Sequence, residues 1–327
     1  MPETFLARRF PTADLPSVRL GTGPTPVRRL DALDLPVETW LKDEGTYGDR
    51  LWGGNKVRKL EWIVAEAHRR RRDTLFTVGG IGTHWGLAAA LHGREHGLRT
   101  VLGLVHQPVD DHVRDQTRRI DASGAHVHRY PSVRRLKLAA PYLLARYSRR
   151  GRLPYYLPAG GSSPVGTLGY VETALEIADQ VRTGELPEPA TVVTAVGSGG
   201  TTAGLLLGLR LAGLRSRVLG VVVNDALPLD AVSISALARS TAELLRSRGA
   251  DVPTTFGPSD LDARSDWLGA TYGAPTPEGE AARVAALERE GLELEPVYTA
   301  KALAAVSDRS AGLEGPVLLL QTHGPRD

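Results

Sequence analysis

The chain has 327 residues, 42% hydrophobic and 24% charged, with a formal net charge of +3, a balance that belongs to a globular protein of two domains or one large one. It contains no cysteine, which excludes disulfides, thiolate metal centres and a cysteine nucleophile. It opens on no signal-peptide core and holds no apolar run of the ~18 residues a membrane span needs, so the expectation is a cytoplasmic protein with no membrane partner.

In chain order, "VETWLKD" (37–43) predicts a strand and "NKVRKLEWIVAEAHRRR" (55–71) a helix, with Val57, Leu60, Val64 and Ala67 on one face. "TLFTV" (74–78) predicts a strand, followed by the turn "GGIGTHWG" (79–86) and a helix. Strands follow at "TVLGLV" (100–105) and "AHVHRY" (125–130), with a helix between them. "PYYLP" leads into "AGGSSPVGTLG" (159–169) and the helix "YVETALEIADQVR". "ATVVTAV" (190–196) predicts a buried strand, then "GSGGTTAG" (197–204) and a helix; "RVLGVVV" (217–223) is another strand. Residues near 225–275 carry few strand signals, and the last third reads as helical until "GPVLLLQ" (315–321). Strands alternating with helices predict an α/β fold of open, mostly parallel sheets with helices on both faces. The basic runs "HRRRR" (68–72) and "RYSRR" (146–150) close helical stretches, where cations suit the helix dipole. No groove-reading motif accompanies them, so no nucleic-acid partner is expected. His126 and His128 share a strand face, but no third ligand lies near them in sequence.

Three glycine turns each join a strand to a helix start, where free N–H groups and a partial positive charge favour anions. "AVGSGGTTAGLLLGL" fits this best, and Ser198, Thr201 and Thr202 add hydroxyls. It is no P-loop, because Leu205 and Leu206 follow Gly204. It is no dinucleotide fingerprint, because Thr202 stands where glycine is required. A single compact phosphate is the sharper reading; a plain tight turn is the alternative. "GGIGTHWG", with the Thr83 hydroxyl, offers donors for a carboxylate, or else is a structural turn with His84 and Trp85 packed beneath it. "AGGSSPVGTLG" either lines a cofactor or caps a helix.

The chain has only five lysines (Lys42, Lys56, Lys59, Lys137 and Lys301) among 40 basic residues, and two of them fall in "GGNKVRKLEW" (53–62). Arginine keeps its proton; a desolvated lysine can lose it and become a nucleophile. Two solvated lysines one helical turn apart are the bland alternative. A phosphate cradle, a glycine-flanked lysine and a carboxylate turn are together what a pyridoxal 5'-phosphate (PLP) amino-acid enzyme needs.

The segment "GGNKVRKLEW" closely resembles the corresponding segment of the fold-type II PLP family that contains 1-aminocyclopropane-1-carboxylate (ACC) deaminase and D-cysteine desulfhydrase. "GPTPV" (23–27), "GGS" with "GTLGYVETALEI" (160–177), "GSGGTTAGL" (197–205), "TYGAPTPEG" (271–279) and "EPVYTAKAL" (295–303) fit the same family in the same order. The resemblance implies a tryptophan synthase β-like fold, with a large PLP-binding domain from 1–57 plus 164–327 and a small domain from 58–163. It implies a homodimer. Lys56 would be the Schiff-base lysine, with Asn55 beside it, and Lys59 would contact the cofactor phosphate. Gly197, Ser198, Gly199, Gly200 and Thr201 would form the phosphate cup, and Thr322 would lie near the pyridine nitrogen. Thr83, Tyr272 and Tyr298 would face the substrate as catalytic groups, and His84, Trp85 and Ser162 would line its pocket.

Two stretches depart from the family pattern. The carboxylate turn, roughly "GxIQSNHxRQ" in the family, reads "GGIGTHWGLA" here. His84 replaces the asparagine that hydrogen-bonds the cofactor's ring hydroxyl, and imidazole can change charge near neutral pH. The C-terminal "HTGGxPAL" becomes "QTHGPRD". The implied reaction is α-proton abstraction from a small amino acid, then β-elimination or ring opening to a 2-oxo acid and ammonia. A β- or γ-replacement enzyme acting on an unusual amino acid, and a PLP-binding protein without turnover, are the alternatives.

Overall fold

The computed structural model describes residues 3–48, 52–252 and 256–324; Pro325–Asp327, the end of the departing C-terminal segment, lie outside them. In chain order the described residues form α1 (Phe5–Arg9), β1 (Val27–Arg29), β2 (Thr39–Asp43), α2 (Asn55–Arg69), β3 (Thr74–Gly80), α3 (His84–Glu95) and β4 (Arg99–Val105). Next come α4 (Asp111–Ala122), β5 (His126–Tyr130), α5 (Val133–Arg146), β6 (Tyr155–Leu157), α6 (Pro164–Thr183), β7 (Thr191–Val196) and α7 (Gly200–Ala212). The chain ends with β8 (Arg217–Val222), α8 (Ala231–Ser247), β9 (Leu261–Arg264), α9 (Pro277–Glu290), α10 (Thr299–Ser307) and β10 (Val317–Gln321).

These strands make two sheets. The larger has the order β1-β2-β10-β7-β8-β9 and is parallel except for β1, which pairs antiparallel with β2. The smaller, β5-β4-β3-β6, is parallel throughout. The smaller sheet uses strands from the middle of the chain, and the larger uses strands from both sides of it. Parallel strands buried on both faces read as apolar runs, which is why the strands at 74, 100, 191 and 217 were legible. Two departures from expectation have local causes. Helix α6 starts at Pro164 rather than Tyr170, because Ser163 Oγ accepts from the Gly166 N–H at 3.2 Å and the proline sits in the first turn. Half of the expected third turn is therefore helix. The segment 225–275 holds α8 and the four-residue edge strand β9, too short to show a period.

Helix α2 is buried along nearly its whole length, and a buried ion cluster fixes its setting. Arg58 Nη2 lies 2.9 Å from Glu44 Oε1 and Arg58 Nη1 lies 2.8 Å from Glu176 Oε2. Lys42 Nζ reaches Glu176 Oε1 at 2.7 Å and Gln180 Oε1 at 2.8 Å, and the Thr25 hydroxyl donates to Glu44 at 2.6 Å. Two cations meet two carboxylates, so the cluster is neutral. It ties β2, α2 and α6 together. Burial pushes the Glu176 carboxyl up, but Arg58 and Lys42 outweigh it and hold it at about 2. Other carboxylates on the same helices grip the N-terminal segment. Glu61 accepts from the Leu20 and Gly21 N–H groups, and Glu172 from that of Leu6.

Glu176→Gln leaves two buried cations short of an anion. It should cost about 3–5 kcal/mol, read from the urea midpoint at pH 7. The usual Glu176 value is 4.5 and the folded value about 2, so the unfolded chain binds the extra proton between them. This carboxylate's contribution is complete above 4.5 and is lost as the pH falls toward 2; the variant should lack that component of its acid unfolding.

Candidate active site

Helix α2 begins without a side-chain cap at Gly54, whose φ of 85° suits glycine. A Cβ there would meet the Gly324 carbonyl oxygen at 3.0 Å, so the C-terminal segment passes directly against the start of α2. Asn55 and Lys56 follow. Asn55 Oδ1 is buried without a hydrogen-bond partner. Lys56 is half-buried, and its Nζ makes no hydrogen bond among the described residues. Burial lowers the Lys56 amine to about 8, against the opposing pull of the Glu295 carboxylate.

Lys59, one turn on, donates to the Gly160 carbonyl at 3.1 Å. Burial, then the nearby Lys56 charge, lowers it to about 7. Around its Nζ three of the expected parts meet. Ser162 Oγ donates to Ser198 Oγ at 2.9 Å and accepts from the Gly200 N–H at 3.0 Å. A Cβ on Gly200 would stand 2.6 Å from Ser162 Oγ and 3.2 Å from Lys59 Nζ. Gly199, at φ 82°, turns the chain into α7 and, as its N-cap, has no side chain to offer the helix's first N–H groups. Thr201 is buried in that first turn, and Thr202 Oγ1 beside it is buried and unpartnered. An ammonium, two hydroxyls and open helix N–H groups converge here, with no carboxylate among these groups. That donor set fits a phosphate.

The other expected residues lie at varying removes. Tyr298 packs against Gly197, where a Cβ would meet its ring at 2.7 Å. Its hydroxyl is hydrogen-bonded to that of Tyr272, with the rings edge to face at 6.1 Å. Burial, then Tyr272, raises the Tyr298 hydroxyl well above its usual value, so it rests protonated. Thr322 is buried just past β10. Thr83 is the N-cap of α3, where its Oγ1 accepts from the Gly86 N–H at 3.1 Å. Gln107 already occupies one donor of that turn, accepting from the Gly82 N–H at 3.4 Å.

Trp85, expected to line the pocket, packs beneath the glycine turn of 160–161. It is buried to 3%, its indole N–H donates to Thr77 Oγ1 at 2.8 Å, and its ring lies under Gly161. One residue after His84, it falls on the face of α3 that packs into the core. It supports the Gly160–Gly161 turn from beneath. His126 and His128, the other histidine pair, pack on Tyr147, which His128 meets at 2.8 Å.

Three residues escaped the sequence reading. Asn224 Nδ2 donates to the Gly197 carbonyl at 2.8 Å and so anchors the phosphate turn. Glu295 accepts from the Tyr298 N–H; burial raises it to about 7, partly offset by that bond and by Lys56. Glu295 opens the "EPVYTAKAL" stretch, so its position was visible although its role was not. His112 sits 2.8 Å from His84, Nε2 to Nε2.

A family model described as pyridoxal-phosphate dependent enzyme matches residues 18–322. D-cysteine desulfhydrase of Klebsiella pneumoniae (strain 342) is 32% identical over 320 residues, covering 94% of each chain. The D-cysteine desulfhydrase of Salmonella schwarzengrund (strain CVM19633) is also 32% identical, with the same coverage. The crystal structure of an ACC deaminase homologue superposes with a TM-score of 0.79 at 28% identity, covering 98% of this chain and 95% of that one.

Both site lysines bind protons less readily folded than unfolded, where their usual value is 10.5. Cofactor-free protein should therefore gain stability as the pH rises from about 7 toward 10. Lys59→Met should remove roughly half of that gain in urea titrations, because Lys56 remains. Inorganic phosphate should flatten the rise in the unsubstituted protein by pairing the ammonium.

Proposed function

The chain belongs to the pyridoxal-phosphate dependent enzyme family, and from that premise we propose a lyase that converts a small amino acid to a 2-oxo acid and ammonia. The reaction is elimination of a β-substituent, or ring opening, after loss of the α-proton. The observation that carries this reading is Lys56: a half-buried amine, free of hydrogen bonds to the described residues and lowered to about 8, at the start of a helix whose next turn supplies Lys59.

The residues present fit the cofactor. Lys59, Ser198, Thr201 and the N–H groups from Gly199 onward would hold the phosphate, with Gly197 and Ser162 shaping the turn. Lys56 would hold the aldehyde, and Asn55, His84 and Thr322 would border the ring. Bound PLP supplies the carbonyl that engages the amino group and an electron-accepting ring for the α-carbon.

The chain's own groups do the rest. Lys56 Nζ would take the α-proton; an amine poised near 8 can take and return a proton at neutral pH. Glu295, at about 7, lies close enough to stabilise the resulting ammonium. Thr83 and the first N–H groups of α3 orient the substrate carboxylate. The Tyr298 hydroxyl, held by Tyr272, is a proton donor toward the substrate rather than an anionic nucleophile. The reading includes the two-domain division at 57/58 and 163/164 and a cytoplasmic homodimer that binds neither membrane nor nucleic acid. It is supported by the separate small sheet and by the lack, among the described residues, of a helix long and apolar enough to cross a membrane.

The test screens D- and L-amino acids with β-leaving groups, and ACC, for 2-oxo acid release. Lys56→Ala should reduce release to background, and borohydride should fix the cofactor on the Lys56 peptide of the unsubstituted protein only. Release at an undiminished rate by the variant would sink the assignment.

A further inference from the structure

Beside Lys56 lies a histidine pair that the steps above leave without work. His84 opens α3, and His112 is the second residue of α4. Their rings stack at 4.9 Å with 18° between planes, and the Nε2 atoms are 2.8 Å apart. Two ring nitrogens at that distance need one N–H and one lone pair, so the contact holds a single shared proton. Trp52 stands on His84 at 5.6 Å, and Arg119 lies over Trp52 at 5.3 Å.

The charges that act on His84 are Lys56 from α2, His112 and Arg119 from α4, and His323 from the segment after β10. Asp115, also on α4, is lowered by its Arg119 hydrogen bond and in part by the His112 charge. Burial first, and then those basic neighbours, keep His84 neutral. His112 is exposed. The pair thus runs from the neighbourhood of Lys56 to solvent. His84 Nδ1 is bonded to none of the described residues, so it is the nitrogen left for a ligand. A neutral imidazole that gains a proton at Nε2 while losing one from Nδ1 need not hold a charge among these cations.

We propose that His84 and His112 form a proton relay from solvent to the substrate's leaving group, and that it suits the enzyme to amino acids bearing a β-hydroxyl. This rests on the elimination reading above. In the step, the Cβ–O bond breaks and its electron pair goes to oxygen. His84 Nδ1 gives that oxygen a proton, forming water, and His112 Nε2 restores the proton at His84 Nε2. In the same movement solvent protonates His112 at Nδ1, so neither ring is left as an imidazolate. The α-proton goes to Lys56, and the Cα–H electron pair becomes the Cα–Cβ double bond. Hydroxide is too basic to leave without a proton, whereas chloride leaves without one. His84 is the group that would touch substrate; His112 acts through it.

The test compares His112→Gln holoenzyme with the unsubstituted enzyme on both enantiomers of serine and of 3-chloroalanine. The serine-to-chloroalanine ratio of kcat should fall about 100-fold. A purely structural role would slow both substrates together and leave the ratio unchanged, which would overturn the relay. Turnover of 3-chloroalanine with none of serine in the unsubstituted enzyme would also overturn it. Failure on every amino acid would instead sink the elimination reading. In that case nitrogen-detected NMR of the cofactor-free protein decides the relay: one proton shared by the two rings, with the His84 titration moved by His112→Gln, supports it, and independent titrations overturn it.

Discussion

The chemistry of the cleft depends on where α2 sits, and Arg58 sets that position. It lies two residues from Lys56 and one from Lys59, buried to 2%, and its fork is closed by Glu44 and Glu176. Such a cluster adds little net stability over an apolar core, because desolvating four charges costs nearly what their attraction returns. Its effect is registry. Any slide or rotation of α2 would strand a cation in the core, so the helix has one setting. Gly169 reinforces it, since a Cβ there would lie 2.3 Å from the Arg58 carbonyl oxygen and force α6 away.

With α2 fixed, the two lysines acquire different electrostatic tasks. Among the described residues Lys59 has only the Gly160 carbonyl as acceptor and faces hydroxyls and N–H donors otherwise, so an anion there would return its proton. Lys56 has a carboxylate, Glu295, within reach of its charge and no hydrogen bond to the described residues. That leaves its nitrogen available for covalent and proton-transfer chemistry. Desolvation lowers both amines; what each faces separates anchor from base.

Part of this architecture follows from local rules. The parallel strands were legible as apolar runs, and α2 as an amphipathic repeat. The anion turn at 197–200 was legible because glycine, hydroxyls and a helix start are adjacent in sequence. The scarcity of lysine made Lys56 and Lys59 conspicuous. The start of α6 was missed because the glycines of 159–169 read as loop, although Ser163 and Pro164 are cap residues. Glu295 and Asn224 were missed because their effect is exerted on Lys56 and Gly197, far away in the chain.

The sequence by itself determined the α/β character and the two amines, because these depend on residue type and on spacing within one element, and the cofactor class, through motifs that resemble a known family. Only the tertiary structure decided that Trp85 faces the core while its neighbour His84 meets His112, 28 residues away. A helix's period states which residues share a face. What that face touches is set by how α3 and α4 pack against each other beside the small sheet.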